Sequence, residues 1–164
     1  MAVQVAVCGP GECTEREWDH AYETGRILAQ YGAVVVCGGH GGVMAAGAAG
    51  ARTAGGTVVG VLPAADRAAA GPDLTVAVPT GLGQARNNVI VNAADALIAV
   101  GGSWGTLSEI ALAMRAGRIP VVQLGGWRVH DEDGRPVGGI VHAADPVAAV
   151  EATGLFGRTS RDAG

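Results

Sequence analysis

Glycines concentrate at three places where a strand-like run gives way to a helical one. These are Gly9-Pro10-Gly11, Gly38-Gly39-His40-Gly41-Gly42 and Gly101-Gly102-Ser103-Trp104-Gly105. Glycine admits positive φ and lets a ligand approach the backbone closely. The helix that follows each cluster adds unpaired N–H groups and the positive end of its dipole. The chemistry that follows is the binding of an anion, above all a phosphate. Gly9, Gly11, Gly39, His40, Gly41, Gly42, Gly102, Ser103, Gly105 and Thr106 are the candidate ligand-binding residues. None of the clusters is a dinucleotide fingerprint. Gly39-His40-Gly41-Gly42-Val43-Met44 lacks the third glycine, and no acidic residue closes the next strand.

The chain contains no lysine; its eleven basic residues are all arginines. That excludes a Schiff-base lysine, and with it pyridoxal-phosphate chemistry of the lysine decarboxylase kind. It equally excludes a Walker-type phosphate lysine. No CxxC or HxxxH spacing points to a metal, and no resident cofactor is expected. Cys8, Cys13 and Cys37 read as reduced thiols, two of them in buried strands.

The elements that must position these loops alternate regularly. Strands are predicted at Val3–Cys8, Ala33–Cys37, Thr57–Leu62, Leu74–Val78, Asp95–Val100 and Pro120–Leu124. Helices are predicted after a Thr14/Glu17 capping box, over Val43–Ala54, over Gln84–Ala94, from Thr106 to Ala116, and after Asp145-Pro146. The stretch 125–141 reads as a polar turn joining two short ribbons. Strand–helix alternation of this kind predicts an α/β, Rossmann-like doubly wound fold with a mostly parallel sheet and helices on both faces. One domain is expected over residues 1–155, with 156–164 a frayed tail. The small-residue helix after Gly42 is expected to sit very close to the sheet or to a neighbouring helix.

Composition narrows the partners. With 164 residues, 49% of them hydrophobic and only 4% aromatic, the core must be built mainly from Val, Ala, Leu and Ile. The net charge of -4 and the absence of a basic run disfavour nucleic acid. No stretch reaches the ~18 apolar residues of a membrane span, and no charged leader opens the chain, so a cytoplasmic protein is expected.

Gly101-Gly102-Ser103-Trp104-Gly105-Thr106-Leu107-Ser108-Glu109 resembles the PGGxGTxxE signature of the LOG family, which releases cytokinin bases and was long labelled lysine decarboxylase. Gly38-Gly39-His40-Gly41-Gly42-Val43-Met44 is similar to that family's second glycine motif. Arg86 stands upstream at the spacing of its catalytic arginine. The order of motifs over residues 3–124 resembles still more closely a short LOG-like branch that includes carriers of the molybdenum cofactor.

The resemblance implies a Rossmann-like homodimer that hydrolyses the N-glycosidic bond of a nucleoside 5′-monophosphate to free base and ribose 5-phosphate. Gly102, Gly105 and Thr106 would then hold the phosphate. Glu109 would face the ribose, and Arg86 would support the substrate and leaving base. Physical chemistry agrees: a carboxylate stabilises an oxocarbenium-like centre and orients water, and one helical turn, ~5.4 Å, separates phosphate from anomeric carbon about as Gly105 is separated from Glu109. An arginine fork binds phosphate bidentately.

The sequence also departs from the signature. Gly101 replaces its proline, Ser103 one of its glycines, and Arg86-Asn87 the usual RK pair. The implied alternative is a non-catalytic binding or carrier protein for molybdenum cofactor or a nucleotide. Structural readings stand beside these: Glu109 as a carboxylate serving the helix dipole, Arg86 as the partner of a surface acid, His40 as an ordinary loop histidine. Trp104 is open between stacking on a base and packing at a dimer seam.

Overall fold

The computed structural model describes residues 1–157. Seven strands form one sheet in the order β4-β3-β2-β1-β5-β6-β7: β1 (Gln4–Cys8), β2 (Val34–Cys37), β3 (Val58–Leu62), β4 (Val76–Pro79), β5 (Ala96–Val100), β6 (Val121–Leu124) and β7 (Ile140–Ala143). Every pairing is parallel. The chain walks outward from β1 to β4, then returns to lay β5 on the other side of β1. The reversal leaves a crevice at the carboxyl ends of β1 and β5, the place where ligands bind in open α/β sheets.

Side-chain alternation along the strands divides the core in two. Val5, Val7, Val35, Cys37, Ile98 and Val100 point to the face covered by α1 (Glu15–Gln30), α2 (Val43–Thr53) and α5 (Pro146–Ala152). Ala6, Cys8, Val36, Leu97 and Ala99 point to the face covered by α3 (Arg86–Ala93) and α4 (Trp104–Ala116). Both faces are dry, which is why the strands read as unbroken apolar runs rather than as alternating ones.

Local signals set the helix ends. Thr14 and Glu17 make the reciprocal capping box of α1, with Glu17 N–H donating to Thr14 Oγ1 at 3.2 Å and Thr14 N–H donating to Glu17 at 2.8 Å. Asp145 caps α5 by accepting from Ala148 N–H, with Pro146 at the first helical position. Helix α4 begins two residues earlier than predicted. Ser103 is its cap, and Trp104 is already helical.

The stretch 125–141 also differs from expectation. A narrow ribbon does form, through the antiparallel bridge between His130 and Pro136. Its continuation at Ile140–Ala143, however, adds a seventh parallel strand against β6. That strand is four residues long and half exposed, too short for its periodicity to be read. Leu155 and Phe156 pack on the core, and Phe156, the first residue of the expected frayed tail, stacks on Tyr31 at 4.8 Å. The rest of that tail, 158–164, lies outside the described residues. Among the described residues no helix is long and apolar enough to cross a membrane.

The small-residue helix α2 lies against α1, backbone to backbone. A methyl group at Gly25 would come 2.0 Å from the Gly47 carbonyl oxygen, and one at Gly50 would come 1.9 Å from that of Tyr22. Tyr22 Oη closes the contact by donating to Thr53 Oγ1 at 3.0 Å. Alanine at position 50 would gain about 1 kcal/mol of helix propensity. It must also push two backbones apart, an overpacking cost of about 1–3 kcal/mol or more. Gly50→Ala is therefore expected to lower the midpoint of urea unfolding at unchanged slope; a midpoint at or above that of the parent would show that the helices are free to separate.

Candidate functional site

At the carboxyl edge of the sheet the first two glycine loops lean on each other. Val43 N–H, the first amide of α2, donates to Pro10 O at 3.0 Å. Gly42 has φ 59°, and a Cβ there would lie 2.3 Å from Pro10 O. Gly9 is equally constrained, since its Cβ would strike Val100 O at 2.4 Å and Val43. Gly9 and Gly42 therefore hold the strand ends at a common level. Gly11 is unobstructed, and Gly41 is exposed with only Gly11 O near it. These two form the open part of the pair.

Gly38 and Gly39 perform a different task. Gly39 turns the chain at φ 76°, with Leu62 and Leu74 packed where a Cβ would be. Gly38 lies beneath the guanidinium of Arg86, with Nη1 only 2.5 Å from the place of its missing Cβ. That nitrogen donates to Gly38 O at 2.7 Å and to Val61 O, tying the first residue of α3 to the ends of β2 and β3. No carboxylate pairs with Arg86 among the described residues. Its burial beside two carbonyls, rather than a surface acid, is what holds it.

Glu109 reaches the same region from α4. It is only 7% exposed. Burial drives its carboxyl up from the usual range to about 7, against the opposing pull of the Arg86 charge and a hydrogen bond with the Cys8 thiol. The thiol in turn is raised well above its ordinary value, first by burial and then by Glu109. Cys37, at the end of the neighbouring strand, is pushed up to about 11 by burial. His40 is held below its ordinary value by burial and by the Arg86 charge. Its ring is also hydrogen-bonded to the backbone of Ala69. The loop carrying Ala69 folds back over the second glycine cluster, Gly71 N–H donating to Gly39 O at 3.0 Å.

Arg86, Glu109 and His40 are thus brought into one electrostatic neighbourhood. Cys8 joins it unannounced. It is an ordinary core thiol by sequence, and only the registration of β1 beside α4 makes it the partner of Glu109.

The third cluster divides its labour. Ser103 Oγ accepts from Thr106 N–H at 3.2 Å and shares a 2.9 Å hydrogen bond with Thr106 Oγ1. Thr106 is buried. Both polar groups of the pair are therefore occupied in capping α4. The amides that precede the first intrahelical bond, Leu107 N–H to Ser103 O, include those of Trp104 and Gly105, and Gly105 is exposed. Gly102 is covered instead by Trp127, whose Cδ1 would lie 2.7 Å from a Cβ there. Trp104, 78% exposed, meets Trp127 edge to face at 5.0 Å.

The arrangement therefore presents an anchored cation, a near-neutral buried carboxyl and exposed amides at a helix start. Such a set can hold an anion and can donate or accept one proton at Glu109.

The Glu109 carboxyl generates a pH dependence. Its folded value, about 7, lies above its ordinary 4.5. The unfolded chain ionises first as pH rises, so stability is full below pH 4.5, falls between 4.5 and about 7, and then levels. The loss amounts to about 3 kcal/mol at 1.36 kcal/mol per unit. In Glu109→Gln this segment of the stability–pH curve should be flat in urea unfolding. A wild-type curve already flat from pH 5 to 7 would mean that the carboxyl is not held protonated.

The SLOG cluster4 family model matches residues 2–150. A protein of Archaeoglobus fulgidus is 44% identical over 135 residues, spanning 79% of this chain and 88% of its own. Two solved structures resemble the fold throughout. The molybdenum cofactor binding protein of Rippkaea orientalis is 32% identical, with a TM-score of 0.82 over 92% of this chain and 94% of its own. The molybdenum cofactor carrier protein of Chlamydomonas reinhardtii is 34% identical, with a TM-score of 0.79 over 93% and 96%. With its glycine loops, parallel sheet and nearly full-length match, the chain belongs to the SLOG cluster4 family.

Proposed function

We propose that this chain is a binding or carrier protein for a phosphate-bearing small molecule of the molybdenum-cofactor class, seated where Arg86, Glu109 and the exposed amides of Gly105 and Trp104 converge. The observation that carries the reading is the state of Glu109. A carboxyl that is 7% exposed, hydrogen-bonded to a thiol and raised to about 7 still holds a proton in about half of the molecules at neutrality, and that form is a poor stabiliser of a developing cation. It is well suited to donate a hydrogen bond to a ligand oxygen beside the Arg86 guanidinium. Similarity to two proteins described as binding or carrying molybdenum cofactor, over more than nine-tenths of both partners, supports the same reading. The open ground at Gly11 and Gly41 fits a bulky anion better than a closed pocket would. A homodimer, taken from the family resemblance, belongs to this reading.

The test is binding of molybdenum cofactor to the purified protein under anaerobic conditions, followed by thermal stabilisation and by equilibrium titration. Stabilisation should appear for the wild type, and Arg86→Gln should weaken binding at least tenfold. A wild type that the cofactor neither binds nor stabilises would sink the carrier reading.

One observation favours a second reading. Arg86 and Glu109 sense each other's charge yet form no ion pair among the described residues, so neither is neutralised by the other and a substrate entering between them would meet both. A nucleoside 5′-monophosphate phosphoribohydrolase would use that space, with Glu109 stabilising the anomeric centre in its ionised form. Incubation with AMP, GMP and CMP should then release free base and ribose 5-phosphate. The rate should climb as pH rises through about 7, where Glu109 ionises, and should vanish in Glu109→Ala. If no base is released from any nucleotide at pH 8, the hydrolase reading is wrong.

A further inference from the structure

On the far side of the Gly101 turn from Arg86 and Glu109 lies another cleft, about 460 Å³ in volume, between the first turns of α1 and the carboxyl ends of β5, β6 and β7. Arg16 and His20 face it from α1, and Arg128 faces it from the segment after β6. Neither arginine is ion-paired among the described residues. Glu17, the carboxylate in the lining, is engaged through one oxygen in the capping box of α1. It accepts from Thr14 N–H at 2.8 Å and Thr14 Oγ1 at 3.1 Å, and its other oxygen occupies the ground beside Gly101 where a Cβ would come within 2.2 Å.

The floor of the cleft is backbone. Gly125 and Gly126 both take positive φ, 72° and 78°. Their amides, and that of Arg128, donate to no protein acceptor among the described residues. Gly126 lies so close to the β5 turn that a Cβ would sit 2.1 Å from Gly101 O, which fixes the turn in place. Successive free amides in a turn form a concavity that suits an anion. Two unpaired guanidinium groups above it supply the charge.

We propose that this cleft is a second anion site, which takes a phosphate group between Arg16, Arg128 and the Gly125-Gly126 turn. It is separate from the Arg86–Glu109 site and does not rest on the reading given for that site. His20 stands within the lining beside them.

The test is calorimetric titration of the intact chain with inorganic phosphate and, separately, with ribose 5-phosphate at low salt. The variants are the pair Arg16→Gln with Arg128→Gln and, for the other site, Arg86→Gln. Each substitution in the pair is on the surface, and an unchanged Tm without ligand verifies the fold. The expected result is an equivalent of phosphate that Arg86→Gln leaves intact and the paired variant weakens at least tenfold. Tighter binding of ribose 5-phosphate in this cleft would identify a phosphate ester as its occupant; equal binding would identify the free ion. A paired variant that binds like the wild type, or a single equivalent removed by Arg86→Gln alone, would overturn the proposal. Loss of the equivalent in the paired variant with no effect of Arg86→Gln would uphold this site and count against phosphate binding at the other.

Discussion

Nη1 of Arg86 donates to carbonyls at the ends of two adjacent strands, Gly38 O and Val61 O, and much of the site follows from that attachment. The carbonyls lie where β2 and β3 run out of partners, so the guanidinium replaces ladder hydrogen bonds that the sheet can no longer make. It fits only because position 38 has no Cβ. Once fixed, the charge has nowhere to withdraw. It lowers His40, restrains the rise of Glu109, and fixes the start of α3 over the loop below. An arginine free in solvent would do none of this, since screening would dilute its field and its side chain would wander.

The glycines of this protein therefore do two kinds of work that composition cannot separate. Gly9, Gly38 and Gly42 are spent on contact between one backbone or guanidinium and another, and Gly25 and Gly50 bring α1 and α2 into backbone contact. Gly11, Gly41 and Gly105 face open space and are the ones a ligand can approach. The tight set holds the open set at a common level along the edge of the sheet. Replacing a member of the first group disturbs the fold, whereas replacing a member of the second disturbs access.

The electrostatic design is one of separation. Arg86 and Glu109 influence each other without touching, and burial outweighs that influence in setting Glu109. A direct ion pair would have made Glu109 firmly anionic and neutralised the cation. Apart, the cation keeps its attraction for an incoming anion and the carboxyl changes its charge near neutrality rather than in the ordinary acid range. The Cys8 thiol lies on the same face of the sheet as α4 and completes the dry wall behind the carboxyl.

The sequence by itself determined the α/β class, the parallel arrangement, both capping devices and the three glycine loops, because each rests on short-range chemistry: apolar runs of strand length, Thr14 with Glu17, Asp145 before Pro146. It also marked Arg86 and Glu109, through the resemblance to the LOG signature, and His40, through its place in a glycine loop. Tertiary structure decided the rest. Strand β7 could not be read from four half-exposed residues, since only pairing with β6 makes them a strand. Ser103 and Thr106 carry ligand-type groups in sequence, yet local geometry turns those groups on each other. Cys8 became a partner of Glu109, and Arg16 a neighbour of Arg128, because contacts between residues a hundred positions apart are set by strand order and helix packing, and nothing in the local sequence encodes them.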